Sequence, residues 1–257
     1  MHMSSINPYM KNLHIDLNCD MGEGMEHDAL IMPFISSANI ACGYHAGNEY
    51  TMQKTIELAL LHQVAIGAHP SYEDRENFGR VSQNLSVLDI AELVAEQIYL
   101  FEKVAQPMGV NLHHVKLHGA LYNDCAKDEH KSKIFIETIQ AINPELIIYG
   151  LSGSHTIEQA ILHGQPYMNE VFADRSYQKD GSLTPRQIEG AMIHDTSKAC
   201  EQVLKMILQK KVMTLHEVMI PIQADTICIH GDGDNAVALA AAIYSTLKEN
   251  HIEIQHP

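Results

Sequence analysis

Short apolar runs alternate with longer amphipathic stretches along most of the chain. The amphipathic stretches predict helices at residues 49–62, 86–106, 128–142, 155–163, 196–210 and 234–249. Ser86 is the predicted N-cap of the second helix, with Asp89 three residues on, and a further short helix is expected after Pro185. The apolar runs are short, rich in branched aliphatic residues and end near Gly, Asp or Asn, which predicts seven strands. They are HIDLNCD, NIACG, VAIGAH, HHVKLH, LIIYGLS, NEVFAD and TICIHGD.

Strands that alternate with helices in this way predict βαβ units and a parallel sheet. About seven such units in a chain of 257 residues are typical of a (β/α) TIM-like barrel, complete or distorted. A doubly wound open sheet is the competing architecture. No linker rich in Pro, Gly or Ser interrupts the pattern, so we expect a single barrel domain at 13–257 after a flexible segment at 1–12.

Polar residues recur at alternate positions near the ends of the predicted strands. Alternate residues of a strand point to the same side, and barrel enzymes place their chemistry at the carboxyl ends of the strands. The pattern therefore predicts an inward-facing site, with a solvated sheet edge as the alternative for any one strand. The residues with this placement are Asp16, Asn18 and Asp20; His69; His114, Lys116 and His118; Glu170 and Asp174; and His230 and Asp232.

Carboxylates and imidazoles in such a site suit acid–base chemistry or metal binding. His114 and His118 have the i, i+4 spacing of many metal sites, but on a strand they would lie about 13 Å apart and could not bind one ion. A metal site that uses Asp16 or Asp20 with His45 and His69 stays open.

Charge and composition narrow the function classes. The formal net charge of −15 argues against nucleic acid and anionic membranes as partners. No apolar run approaches the roughly 18 residues of a membrane helix, and the first residues do not resemble a secretory signal. Five scattered cysteines without a Cys-x-x-Cys pair predict a reduced, cytoplasmic protein without a structural zinc site. The sequence contains neither a Walker A pattern nor a G-x-S-x-G elbow.

Six ordered segments resemble the LamB/YcsF family: IDLNCDMGEG, SANIACGYHAGN, VAIGAHPSYEDRENFGR, HVKLHGALYN, EVFADRSYQKDGSLTPR and ICIHGD. They extend from about residue 14 to 233, which is nearly the whole chain. The chain departs from the family pattern at Leu117, where Pro is usual, at Asn77, where Gly is usual, and at Val81, where a second Arg is usual. These departures affect loop details and replace none of the candidate acids or bases.

The resemblance implies a distorted barrel related to glycoside hydrolases and deacetylases. It also implies a part in the ATP-dependent opening of 5-oxo-L-proline to L-glutamate, together with two partner subunits, B and C. Homo-oligomerisation and a bound divalent metal stay open. The rival functions are a stand-alone metal-dependent deacetylase or amidohydrolase and a non-catalytic lactam-binding subunit.

For the lactam reaction we expect an acid to serve as general base, histidines to shuttle protons, and Lys116 or Arg175 to bind a carboxylate or phosphate. The predicted catalytic set is Asp16, Asn18, Asp20, His45, His69, His118 and Glu170, and the predicted substrate-binding set is His114, Lys116, Asp174, Arg175, His230 and Asp232.

Overall fold

A closed barrel of seven parallel strands forms the centre of the computed structural model, which describes residues 13–231, 233 and 235–257. The barrel order is β1–β2–β3–β4–β5–β6–β9, and β9 closes it by pairing with β1 from Asp16↔Thr226 to Cys19↔Ile229. This closure confirms the predicted TIM-like barrel and excludes the open sheet. The strands are β1 (Leu13–Met21), β2 (Ser37–Ala41), β3 (Ala65–His69), β4 (His114–Lys116), β5 (Ile147–Leu151), β6 (Tyr167–Phe172), β7 (Lys211–Met213), β8 (Met219–Pro221), β9 (Thr226–Ile229) and β10 (Ile252–Ile254).

All seven predicted strands belong to the barrel. The three strands that the pattern did not predict are short and lie outside it. β7 and β8 form an antiparallel pair, and β10 runs parallel to the first residues of β1. The predicted flexible segment at 1–12 lies outside the described residues.

Helices cover the outside of the barrel. Six of them confirm the predicted segments, and Ser86 and Asp89 form the expected reciprocal cap, with bonds of 3.2 and 3.0 Å. The short helices α1 and α4 were not predicted. The helices are α1 (Asp28–Ile31), α2 (Glu49–His62), α3 (Val87–Ala105), α4 (Gly119–Lys127), α5 (Glu129–Ile142), α6 (His155–His163), α7 (Thr196–Gln209) and α8 (Ala236–Glu249).

The helix expected after Pro185 does not form, so this prediction was wrong. Residues 185–195 make turns and extended backbone instead. Met192 forms an antiparallel bridge with Arg175, and the amide of Ile193 donates to the carbonyl of Asp174 over 2.8 Å. These partners lie in the loop after β6, so tertiary hydrogen bonds replace the helical ones and hold the segment over the barrel mouth.

The two faces of each barrel strand bury different chemistry. On β1, Ile15, Leu17 and Cys19 belong to the apolar layer between barrel and helices, whereas Asp16 and Asn18 are buried on the other face. An interior that is polar and almost fully buried must satisfy its donors and acceptors internally. The hydrogen bonds described below show how it does so.

Gly67 on β3 leaves the space that the ring of His114 occupies. A Cβ at this position would lie 2.2 Å from Nε2 of His114. We expect Gly67→Ala to lower the free energy of unfolding by about 1–3 kcal/mol or more, because the ring must move. Urea denaturation would measure this. Gly233→Ala is the control, since nothing lies within 4 Å of a Cβ there; equal effects of the two substitutions would contradict the prediction.

Two further properties concern the chain as a whole. Within the described ranges, no helix is both long and apolar enough to cross a bilayer. All five cysteines are free thiols, and four of them are buried.

Candidate active site

A cavity of about 260 Å³ opens at the carboxyl ends of the barrel strands. This is the end at which barrel enzymes place their chemistry. Several of the predicted site residues line the cavity, and they are contributed by different strands and by the loops that follow them. They are Asp20, His69, Lys116, His118, Arg175 and His230.

Lys116 lies on the floor of this cavity between two carboxylates. Its Nζ is 2.8 Å from Oδ1 of Asp20, 2.9 Å from Oε1 of Glu170 and 3.0 Å from Sγ of Cys228. Burial alone favours the neutral amine, but Asp20, Cys228 and Glu170 together raise the pKa of Lys116 well above its usual value. For Asp20, burial acts to raise the pKa, but the charges of His69 and Lys116 outweigh it and hold that pKa well below its usual range. An ammonium and an ionised Asp20 therefore coexist in this buried position.

Some buried polar atoms near Lys116 lack a hydrogen bond of normal geometry to any described residue. They are both carboxylate oxygens of Glu170, the hydroxyl of Tyr122 and Nε of Arg175. Burial, followed by the charge of Glu170, raises the pKa of Tyr122 well above its usual value, so the hydroxyl keeps its proton. Tyr122 and Arg175 also line the cavity. The Tyr122 hydroxyl interacts with Glu170, whereas Nε of Arg175 is available to a polar ligand.

Three histidines and a glutamate form a second buried group beside Asp20. Nδ1 of His118 lies 2.9 Å from Nε2 of His69, and Nε2 of His45 lies 3.0 Å from Oε1 of Glu23. Burial, and then the neighbouring histidines, lower the pKa of His45 to about 2 and that of His118 well below its usual value. One ligand atom from each residue lies within 4.8 Å of all the others, so this histidine–glutamate cluster could hold a metal ion.

The loop after β6 brings a further set of charges to the cavity. Nδ1 of His230 lies 2.8 Å from Oδ1 of Asp174. Burial acts to raise the pKa of Asp174, but the charge of His230 outweighs it and the pKa is lowered. Burial and the nearby Arg186 lower the pKa of Arg175 to about 10, and its guanidinium donates to the carbonyl of Thr184. Asp232, the last predicted residue of this group, lies outside the described residues.

Comparison with known proteins shows to which family this chain belongs. The model of the LamB/YcsF family matches residues 15–257. The chain belongs to the LamB/YcsF family. A curated relative from Oceanobacillus iheyensis, named as the A subunit of 5-oxoprolinase, is 45% identical over 246 residues, which cover 94% of this chain and 96% of the relative.

Solved structures agree with this assignment. The crystal structure of the lactam utilization protein from Thermus thermophilus is 35% identical, with a TM-score of 0.89 over 95% of this chain and 99% of the other. A family 4 carbohydrate esterase from Streptomyces lividans is only 9% identical, with a TM-score of 0.52 over 95% and 92% of the two chains, and shares the fold. The expected barrel fold is thereby found in a carbohydrate esterase as well.

In this LamB/YcsF member, Asp16 lies deeper in the barrel than the cavity and is 1% exposed. Its Oδ1 accepts hydrogen bonds from the hydroxyls of Ser36 and Ser37, at 2.6 and 2.7 Å, and its Oδ2 accepts one from Thr226 at 2.5 Å. Three hydroxyls from β9 and from the start of β2 therefore converge on one carboxylate. Its predicted catalytic role stays a prediction.

Asn18 and His114 occupy the layer between Asp16 and Lys116. Nδ2 of Asn18 donates to Thr226 at 2.7 Å, and Nε2 of His114 contacts Oδ1 of Asn39 at 2.8 Å. The ring of His114 also stacks on Tyr149, with 4.1 Å between centroids. Neither Asn18 nor His114 lines the cavity, and their predicted catalytic and substrate-binding roles also stay predictions.

The network around Asp16 predicts a measurable contribution to stability. We expect Asp16→Ala to lower the free energy of unfolding by about 3 kcal/mol or more, because each hydrogen bond to a charged group is worth roughly 1.5–3 kcal/mol. Thermal and urea unfolding would measure it. The exposed Asp180 also accepts hydrogen bonds, from the hydroxyl and amide of Ser182, and Asp180→Ala should cost less than about 1 kcal/mol. Equal losses would argue against a structural network at Asp16.

Glu23 is the main site residue that the sequence pattern missed. It lies in the loop after β1, where Gly22 and Gly24 adopt φ angles of +69° and +87° and turn the chain. Strand alternation carries no information about a loop. The available signal was a carboxylate between two glycines, shortly after Asp20 near the end of β1.

Proposed function

We propose that this chain is a subunit of an ATP-dependent 5-oxoprolinase and that 5-oxo-L-proline binds in the cavity above Lys116. The names of the relatives from Oceanobacillus iheyensis and Thermus thermophilus support a role in lactam use. The observation that carries the proposal is the buried ion-paired group of Asp20, Lys116 and Glu170, of which Asp20 and Lys116 line a small cavity. Such a group supplies what amide hydrolysis needs, namely a base and a fixed positive charge.

The chemistry explains why ATP takes part. The five-membered lactam is a stable amide, and phosphorylation of its oxygen creates a better leaving group. ADP leaves in that step. Water then attacks the activated carbon, the C–N bond breaks as the ring nitrogen takes up a proton, and a second water hydrolyses the resulting acyl phosphate to glutamate and phosphate. ATP is consumed by the assembled enzyme, with the B and C subunits as partners, and this implies a cytoplasmic enzyme.

In this proposal Asp20 accepts the proton of the attacking water. Lys116 keeps Asp20 ionised and stabilises negative charge that develops on the substrate oxygen. Lys116 is already paired with two carboxylates, so the substrate carboxylate is held instead by Arg175 and by Arg186 at the cavity rim. Arginine suits this task because its planar fork matches a carboxylate.

His69 extends the acid–base pathway from Asp20. Its Nε2 lies 3.4 Å from Oδ2 of Asp20 and 2.9 Å from Nδ1 of His118. A proton taken up at Asp20 therefore has imidazoles within reach on the side away from Lys116. His230, held by its contact with Asp174, completes the polar lining of the cavity that faces the substrate.

A reconstitution tests this function. The chain is mixed with its partner subunits, 5-oxoproline and ATP, and glutamate is measured with each component omitted in turn. We expect glutamate only in the complete mixture. Unchanged turnover without this chain would overturn the proposal. Calorimetry of the isolated chain with 5-oxoproline would separately show whether it binds the lactam, and binding without any effect of Asp20→Asn on turnover would identify a non-catalytic binding subunit.

A second candidate is a stand-alone metal-dependent deacetylase or amidohydrolase. The histidine–glutamate cluster favours it, because imidazole and carboxylate ligands are typical of hydrolytic metal sites. The isolated chain would be assayed without ATP on acetylated and amide substrates, before and after treatment with a chelator. Chelator-sensitive hydrolysis by the chain alone would support this candidate over the first.

A further inference from the structure

The outer ring nitrogens of two histidines in the cluster have fixed hydrogen-bond roles. Nδ1 of His69 lies 2.8 Å from the carbonyl oxygen of Lys116, and Nε2 of His118 lies 2.9 Å from the carbonyl oxygen of Phe78. A carbonyl oxygen only accepts, so both of these nitrogens carry a proton. In a neutral imidazole the other nitrogen, Nε2 of His69 and Nδ1 of His118, then presents a lone pair.

His45 has the same arrangement through a serine. Its Nδ1 lies 2.9 Å from Oγ of Ser71, and the single hydroxyl proton of Ser71 is donated to the carbonyl of Tyr72 over 2.9 Å. Nδ1 of His45 must therefore be the donor in its own contact. Nε2 of His45 presents a lone pair toward Glu23.

Lone pairs consequently face each other inside the cluster. Nδ1 of His118 and Nε2 of His69 are 2.9 Å apart, and Nε2 of His45 and Oε1 of Glu23 are 3.0 Å apart. Two acceptors at such distances repel unless a proton or a cation lies between them.

We propose that Glu23, His45, His69 and His118 bind one divalent transition-metal ion of the zinc class. One such ion would remove the repulsion in both the His69–His118 and the His45–Glu23 contact. Without the ion, each contact would need a proton of its own. Tetrahedral ligands at the roughly 2.0–2.1 Å typical of zinc lie about 3.3 Å apart. Three pairs of ligand atoms in the cluster are 2.9, 3.0 and 3.4 Å apart, and all four atoms lie within 4.8 Å of one another. Imidazole with one carboxylate favours Zn²⁺, Co²⁺ or Ni²⁺ over Mg²⁺ or Ca²⁺.

The surroundings fit a ligand set that is held in place. The outer N–H groups donate to two backbone carbonyls and a hydroxyl, which is the usual support of metal-binding imidazoles. The loop that carries Phe78 closes over the cluster, with the Phe78 ring 5.4 Å from the rings of both His45 and His118. Phe78 itself has a φ of +56°, a conformation that costs energy for a non-glycine residue.

A second group of ligating side chains, Asp20, Cys228 and His230, does not fit a cation equally well. Nζ of Lys116 lies 2.8 Å from Asp20 and 3.0 Å from Cys228. An ammonium already occupies the position that a cation would need there. The metal site is therefore assigned to the histidine–glutamate cluster.

This inference goes beyond the proposed function and does not depend on it. With an ion bound, Nε2 of His69 and Nδ1 of His118 are ligands, so the proton pathway from Asp20 through these atoms applies only to the metal-free chain. A bound ion beside Asp20 would supply Lewis-acid chemistry, polarising a carbonyl oxygen or lowering the pKa of water. The binding itself is measured without lactam, ATP or partner subunits, so its failure is distinct from failure of the 5-oxoprolinase proposal.

The test is metal binding by the full chain. The protein is stripped with a chelator and titrated with Zn²⁺ by calorimetry and elemental analysis, and with Co²⁺ by visible absorption. We expect one ion per chain and a Co²⁺ spectrum typical of low-coordinate nitrogen and oxygen ligation. His118→Gln and Glu23→Gln should each weaken binding by more than the roughly 10–100-fold that loss of a supporting hydrogen bond costs.

The exposed pair of His155 and Glu158, 2.7 Å apart, provides the matched control. His155→Gln should bind metal as the wild type does, and circular dichroism checks that each variant is folded. A folded wild type that binds neither Zn²⁺ nor Co²⁺ would overturn the proposal and show that protons balance the lone pairs. Equal affinity in folded His118→Gln would overturn it too. If both variants unfold, the wild-type stoichiometry and the Co²⁺ spectrum still decide.

Discussion

Lys116→Met is expected to abolish ATP-dependent glutamate formation and to lower the free energy of unfolding by roughly 3–5 kcal/mol. The lysine is 2% exposed and its Nζ contacts Asp20 and Glu170 at 2.8 and 2.9 Å. Methionine fills a similar volume, so the loss comes from two buried carboxylates that no longer have a counter-ion. Urea denaturation and the reconstituted turnover assay would measure the two effects separately.

A second substitution distinguishes this electrostatic cause from a packing defect. In Lys116→Met/Glu170→Gln one of the two uncompensated charges is removed, so we expect part of the stability to return while turnover stays absent. Lys54 and Glu57 provide the control, because they are 2.7 Å apart but 53% and 43% exposed. Lys54→Met should cost less than about 1 kcal/mol. A Lys116→Met protein that is as stable as wild type, or active, would contradict the assignment.

Strand periodicity was sufficient to predict which side chains of the barrel point inward. The run HVKLH places His114 and Lys116 on one face, and the structure buries both inside the barrel. His118 also lines the cavity, but it is not a strand residue, because β4 ends at Lys116 and His118 is the N-cap of α4. His118 therefore reaches the histidine–glutamate cluster from a loop.

The depth of each inward-facing side chain along the barrel axis could not be predicted from the alternation of polar and apolar residues. Asp16 and Asp20 have the same alternation, yet Asp16 pairs in register with Thr226 below the cavity, whereas Asp20 contacts Lys116. The register between neighbouring strands sets the depth of each side chain, and it depends on how all the strands close together. For the same reason the sequence indicated that Lys116 needs an acid or a substrate, but not that it would contact both Asp20 and Glu170.

Loops account for the remaining differences. Glu23 reaches the histidine–glutamate cluster because glycines on both sides of it turn the chain. The segment after Pro185 is not helical, because it forms hydrogen bonds to the loop after β6 instead. Local periodicity predicts neither the position of Glu23 nor the loss of the helix after Pro185, because both depend on contacts with residues that are distant in sequence. This is the usual division between a scaffold that can be predicted and loops that carry specificity.

Asp20→Asn is expected to lower the turnover number of the reconstituted enzyme by about 10²–10⁴-fold while leaving the protein folded. The asparagine oxygen can still accept from Lys116 and from Nδ2 of Asn39, which contact Oδ1 of Asp20 at 2.8 and 2.9 Å. What is lost is the ability to take up a proton from water. Asp225→Asn, at the amino end of β9 and bonded to the amide of Asn169, is the control and should retain activity.

The pH profile gives a second measure of the same role. The charges of His69 and Lys116 outweigh burial and hold the pKa of Asp20 well below its usual range. A depressed pKa means that Asp20 stays ionised as the pH falls through the ordinary carboxyl range, so its contribution to turnover is lost only below that range. We expect this acidic limb of the profile to disappear in Asp20→Asn. Near wild-type turnover in that variant would remove Asp20 as the base, and it would then favour the hypothesis that this chain is a lactam-binding subunit whose chemistry lies on its partners.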